Sequence, residues 1–146
     1  MKRFLRYIPI LISVGVIISL TLMNTPKNVA LSEQFRGWLV KACEKLGIST
    51  DTWWNSSSGI RKLGHIIEYG LLGIASGIAF IDSHRRLRGM GIALGVCIIV
   101  SVLDQVVKIF VPIRHFDIVD IGFDLIGAVG GILVMTGIGM VFKKGA

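Results

Sequence analysis

Apolar residues in this chain come in long blocks rather than in the short periods that a soluble core leaves behind. Four blocks, at 7–23, 62–81, 89–109 and 118–142, are dominated by Ile, Leu, Val, Ala and Gly. A helix needs about 20 such residues to cross about 30 Å of hydrocarbon. The pattern therefore predicts an all-α, polytopic membrane protein: four transmembrane helices in a single domain over residues 1–146. Only one connection, 24–61, is long. Within it Leu31, Phe35, Trp38, Leu39, Ala42 and Leu46 recur at helical spacing, and Glu33, Arg36, Lys41, Glu44 and Lys45 fill the rest of the wheel. An amphipathic outer-loop helix is expected over 29–47, lying on the outer leaflet or capping the bundle, with Gly47 as its stop. Residues 49–59 read as a loop, with Trp53 and Trp54 at the headgroup level. The connection is either a tether or a lid over a site.

Composition agrees with the block pattern. Hydrophobic residues make up 53% of the chain, charged residues only 17%, and mean hydropathy is +0.73. A basic start before the first block raises the possibility of a cleavable signal. The exit of that block, Leu20-Thr21-Leu22-Met23, lacks the small residues of a cleavage site, so an uncleaved first span is expected. Pro9 falls where a first helical turn tolerates it.

The net charge of +7 does not indicate a nucleic-acid partner, because its distribution follows topology. The short segments 1–6, 82–88 and 143–146 hold Lys2, Arg3, Arg6, Arg85, Arg86, Arg88, Lys143 and Lys144. The much longer connections 24–61 and 110–117 together hold Lys27, Arg36, Lys41, Lys45, Arg61 and Arg114. Lys- and Arg-rich flanks stay in the cytoplasm, so both termini are expected inside a bacterial plasma membrane. Cys43 and Cys97 fall at different depths and have no paired metal-ligand spacing. Gly73 and Gly77, Gly91 and Gly95, and Gly127 and Gly131 are each four apart, which predicts close helix packing at all three pairs.

Against this apolar background the ionisable residues inside the blocks stand out, since each costs roughly 2.5–3.5 kcal/mol at a helix centre. At about 1.5 Å per residue, His65 and Glu68 lie shallow in the second span, and Asp104 and Lys108 near the outer end of the third. Asp120 and Asp124 lie near the start of the fourth. All fall at one side of the bilayer. At about 100° per residue, Arg61, His65 and Glu68 share a stripe, as do Asp117, Asp120 and Asp124, a stripe that Gly127 and Gly131 continue. The carboxylates therefore face the bundle. Pro112 ends the third helix and leaves Arg114 and His115 over the outer mouth.

The expected site thus has His65, Glu68, Asp104, Asp120 and Asp124 as acid, base or ligand groups. Arg61, Lys62 and Arg114 would bind an anionic ligand, since a guanidinium fork suits phosphate and carboxylate. A hydrogen-bonded network with Arg114 is expected rather than a metal, and no cofactor is expected. Ion transport is disfavoured because no ionisable side chain continues the path through 74–81 or 129–141.

The run Arg61-Lys62-x-x-His65-x-x-Glu68-Tyr69, then Asp104, then Phe110-x-Pro112-x-Arg114-x-x-Asp117-x-x-Asp120-x-x-x-Asp124-x-x-Gly127, resembles the VanZ-like membrane proteins. It spans about half the chain. The resemblance implies a cell-envelope role in lowering sensitivity to teicoplanin and lipoglycopeptide antibiotics, through reduced antibiotic binding at the cell surface. Gln105 and Lys108 depart from the family pattern, which has an acidic residue and a glutamine there; Asp124 replaces an asparagine and is placed to offset Lys108. The residues themselves leave two roles open. One is a membrane hydrolase or transferase acting on a lipid-linked phosphate or cell-wall precursor, with His65 or Glu68 as acid or base. The other is a binder of a lipid headgroup or a lipoglycopeptide in the bilayer, with no reaction.

Overall fold

The computed structural model describes residues 2–23, 25–50, 52, 55–81, 85–112 and 116–143. These form six helical segments and, among the described residues, no strand: α1 (Lys2–Leu5, a single turn), α2 (Ile8–Leu22), α3 (Thr25–Lys45), α4 (Ser57–Phe80), α5 (Arg86–Ile109) and α6 (Ile118–Lys143). Three of them, α4, α5 and α6, are long and apolar enough to cross a membrane. A fourth crossing is reached if α2 and α3, bent by 116°, are taken as one broken span. At 15 residues and about 1.5 Å per residue, α2 alone falls short of the hydrocarbon thickness. The chain leaves α2 at Met23, whose backbone is extended (φ −63°, ψ 132°), and α3 opens with Pro26 in its first turn, where a proline is tolerated.

The molecule is inside-out. Ile98, Ile99, Val102, Leu103 and Val106 on α5, and Ile126, Val129, Leu133 and Val134 on α6, are exposed. Thr21, His65, Ser76, Ser101, Asp104, Gln105, Lys108, Asp120, Asp124 and Thr136 are buried. Such a distribution suits a solvent of lipid, where polar groups must find partners inside the bundle. The small apolar core, Ile17, Tyr69, Leu72, Cys97 and Ala128, joins α2, α4, α5 and α6. The Tyr7 ring meets Phe80 edge-on at 5.7 Å, and Met135 of α6 packs at Gly77 of α4. The start of α2, the end of α4 and the distal half of α6 therefore lie at one end of the bundle.

α4 and α6 make the closest contact. A Cβ at Gly73 would meet the Ala128 backbone, one at Gly127 the backbone of Ile66 and Gly70, and one at Gly131 the backbone of Gly70 and Ile74. Gly91 and Gly95 correct the expectation for α5: nothing lies within 4 Å of a Cβ there. Spacing alone cannot tell a helix seam from a lipid-facing stripe.

α4 begins earlier than hydropathy indicates. The serine run at 56–58 looks like loop, but Ser56 is the N-cap, its Oγ accepting from Gly59 N at 3.0 Å. Hydropathy misses a polar cap because capping is a local backbone requirement. Ser56→Ala is expected to cost about 1 kcal/mol, read as a lowered midpoint in thermal unfolding of the detergent-solubilised protein. The long connection does contain a helix, α3, and Gly47 beyond it takes φ +68°, the left-handed geometry that ends helices. Trp53 and Trp54 lie outside the described residues.

Candidate functional site

Burial on α5 recurs through Gly89, Ala93, Cys97, Ser101, Asp104, Gln105 and Lys108. One face of the helix thus runs from small residues into charged ones. α4 presents His65 and α6 presents Asp120 and Asp124 to the same place. His65 lies between two carboxylates: Nε2 is 3.4 Å from Asp120 Oδ2, and Nδ1 is 2.8 Å from Asp124 Oδ1. Lys108 Nζ sits 3.0 Å from Asp104 Oδ2 and 3.5 Å from Asp120 Oδ2. Each of these five side chains is at least nine-tenths buried. Three helices therefore contribute to one network.

The expectation that Asp124 offsets Lys108 is corrected by these contacts. Lys108 pairs with Asp104 and Asp120, whereas Asp124 faces His65 and accepts from Ser101 Oγ at 2.6 Å. One helical turn of α6 decides the matter: Asp120 reaches the level of Lys108, and Asp124 lies deeper. The departure at Gln105 also acquires a structural use, since its Oε1 accepts from Asp117 N at 3.3 Å just before α6 begins.

Two contributors were not singled out from the sequence. Thr21 Oγ1 donates to Asp104 Oδ1, bringing the end of α2 into the network. Ser101 lies three residues before Asp104, on the same face of α5. That i, i+3 relation was readable; nothing in the sequence paired Thr21 with Asp104.

The network opens into a cavity of about 850 Å³. Its lining is mixed: Glu68, His65, Asp104, Lys108 and Asp120 are ionisable, and Leu20, Val29, Leu31, Phe35 and Ile67 are apolar. α3 covers part of it through Asn28 to Phe35. Asn28 Nδ2 donates to Leu20 O at 3.1 Å and Arg36 Nη1 to Asn55 O at 3.4 Å, which tie α3 to its neighbours on both sides. Of the expected ligand-binding cations, Arg61 lines the cavity and lies 4.0 Å from Asp117 Oδ2. Both are half-exposed, so their pairing contributes little to stability. Lys62 is not among the lining residues; its Nζ stands 5.2 Å from the centre of the Phe123 ring. Arg114 and His115 lie outside the described residues.

A family model described as VanZ/LLP1 matches residues 9–142. The chain belongs to the VanZ/LLP1 family. The match reaches well beyond the motif-bearing half and takes in α2 and α3, which supply Thr21 and the cavity's cover. Comparison with curated proteins and with solved structures returns no match. As a VanZ/LLP1 protein with several apolar helices, it is a multi-pass membrane protein.

Proposed function

We propose that this VanZ/LLP1 protein spans the bacterial plasma membrane four times with both termini in the cytoplasm. In this reading it lowers sensitivity to teicoplanin and related lipoglycopeptides through an outward-facing pocket between its helices. The observation that carries the reading is the mixed lining of the cavity. Its charged residues suit a headgroup and its apolar residues a lipid chain, so an amphiphile fits it better than a water-soluble metabolite does. The excess of Lys and Arg in the short end segments supports the orientation, and α3 over the cavity supports a lid rather than a tether. The ligand is a lipid-linked cell-wall precursor or the antibiotic's own lipid tail.

The test is expression of the wild type and of His65→Ala in a teicoplanin-sensitive host, with labelled teicoplanin bound to cells measured beside the lipid-linked precursor pool. Wild-type cells are expected to bind less antibiotic, and His65→Ala cells to bind as much as cells with an empty vector. Equal binding and equal pools in all three would remove the antibiotic role.

A second reading, a hydrolase or transferase acting on a lipid-linked phosphate, is favoured by the placement of His65. An imidazole held between two carboxylates, with Glu68 lining the same cavity, is arranged for proton transfer. In that case the precursor pool shifts in wild-type cells and the shift vanishes with His65→Ala. A binder instead gives losses graded with the contact removed.

A further inference from the structure

We propose that His65, Asp104 and Asp124 form a binding site for a divalent metal cation, which goes beyond the reading above. Each residue offers one ligand atom, the three atoms lie within 4.8 Å of one another, and all three residues are buried. A cation with bonds of about 2.0–2.2 Å holds its ligand atoms roughly 3–4 Å apart. The trio, at most 4.8 Å apart, therefore needs to close by roughly 1–2 Å to grip an ion of that size.

The independent mark of a ligand is a pair of orphaned atoms. Asp124 is 0% exposed, yet its Oδ1 has no hydrogen-bond partner among the described residues, and neither has His65 Nδ1. The two approach to 2.8 Å without forming a hydrogen bond, so the oxygen lies off the in-plane axis of the ring nitrogen. The Nδ1 lone pair of His65 is therefore not engaged by a hydrogen bond. Buried polar atoms are seldom left unsatisfied, and two meeting at an acidic cluster are what a coordinated ion resolves.

The surroundings match a metal site as well. The other ring nitrogen, Nε2, faces Asp120 Oδ2 at 3.4 Å, and a carboxylate behind a ligating imidazole fixes its tautomer and orientation. The second oxygens of both carboxylate ligands are held by hydroxyls: Ser101 Oγ donates to Asp124 Oδ2, and Thr21 Oγ1 to Asp104 Oδ1. Charge points the same way. Asp104, Asp120, Asp124 and the neighbouring Glu68 face one ammonium, Lys108, and one imidazole. Buried carboxylates without matching cations are costly. One nitrogen and two oxygen ligands suit Mn²⁺ or Zn²⁺ better than Ca²⁺, which prefers an all-oxygen shell. Sequence spacing cannot reveal the orphaned atoms, which is why it favours a plain hydrogen-bonded network. For a lipid-phosphate ligand, and resting on that reading, the ion supplies the positive charge that an acidic pocket lacks.

Lys108 is the internal competitor, its Nζ 3.0 Å from Asp104 Oδ2. Removing its charge relieves repulsion with the ion, and over a few ångströms of low-dielectric interior this is expected to tighten binding by at least about tenfold. The test is a Mn²⁺ titration of the purified full-length protein in nanodiscs, followed by the electron paramagnetic resonance signal of free Mn²⁺ and then by Zn²⁺ competition. Wild type is expected to bind one Mn²⁺ per chain, Lys108→Gln to bind it at least about tenfold tighter, and Asp124→Asn to lose it. Circular dichroism and gel filtration of each variant establish that it is folded. Wild-type binding no tighter than that of a folded Asp124→Asn, or an unchanged affinity in folded Lys108→Gln, overturns the proposal. Because the titration needs neither antibiotic nor phosphate, its failure leaves the envelope role intact, and failure of the cell experiment leaves the metal site intact.

Discussion

Gly131→Ala, a single added methyl group, is expected to destabilise the bundle by about 1–3 kcal/mol or more, the range for overpacking a tight contact. The new Cβ would lie 2.8 Å from Ile74 N and 3.1 Å from Gly70 C, and closer still to the Gly70 carbonyl oxygen. All three are backbone atoms of α4, so no rotamer change relieves the clash and the helices must separate. Gly127 meets the same obstacle at Ile66 and Gly70. Separation also disturbs the site, because α6 carries Asp120 and Asp124 on the far side of this seam from their partner His65 on α4. Gly91→Ala is the control. Nothing lies within 4 Å of a Cβ there, and alanine is favoured over glycine inside a helix by about 0.5–1 kcal/mol. Thermal unfolding in detergent should therefore lower the midpoint for Gly131→Ala and leave it unchanged or raise it for Gly91→Ala. Equal effects from the two would mean that α4 and α6 do not meet along this seam.

The contrast between these glycines shows how far the chain could be read without coordinates. Apolar blocks locate α4, α5 and α6 to within a few residues, because a helix that faces lipid on much of its surface must be apolar along its whole length. The shared depth of His65, Asp104 and Asp120 also follows from the blocks, since successive spans alternate in direction. Pairing within that depth does not follow. It depends on helix rotation and on a one-turn offset along α6, which sends Asp120 to Lys108 and Asp124 to His65. α2 follows its block to within one residue at each end, but hydropathy does not report the turn after it, where Met23 takes extended geometry. Thr21 enters the site from the last turn of that helix, a tertiary contact with no local sequence signal.

Asp124→Asn should separate the purpose of the polar network from its contribution to the fold. The substitution keeps the side chain's volume and an oxygen for Ser101 Oγ, now 2.6 Å from Asp124 Oδ2, and removes only the charge beside His65. Polar contacts between helices in membranes average about 0.6 kcal/mol and reach about 1.7, because the separated helices also find partners. The variant is therefore expected to unfold within about 1–2 kcal/mol of wild type, while its effect on teicoplanin binding to cells falls to the empty-vector level. Ser101→Ala, which removes a hydroxyl and no charge, should cost about as little in stability and keep most of the effect. The magnitudes decide between two explanations of the buried charges. If they merely fixed helix register, the loss of phenotype would follow the loss of stability, and Ser101→Ala and Asp124→Asn would fall on one line. Buried ion pairs are often outdone by apolar packing of the same volume, so register alone is a poor reason to keep Asp104, Lys108, Asp120, Asp124 and His65 together. A folded Asp124→Asn protein with full activity would return these residues to a purely structural role.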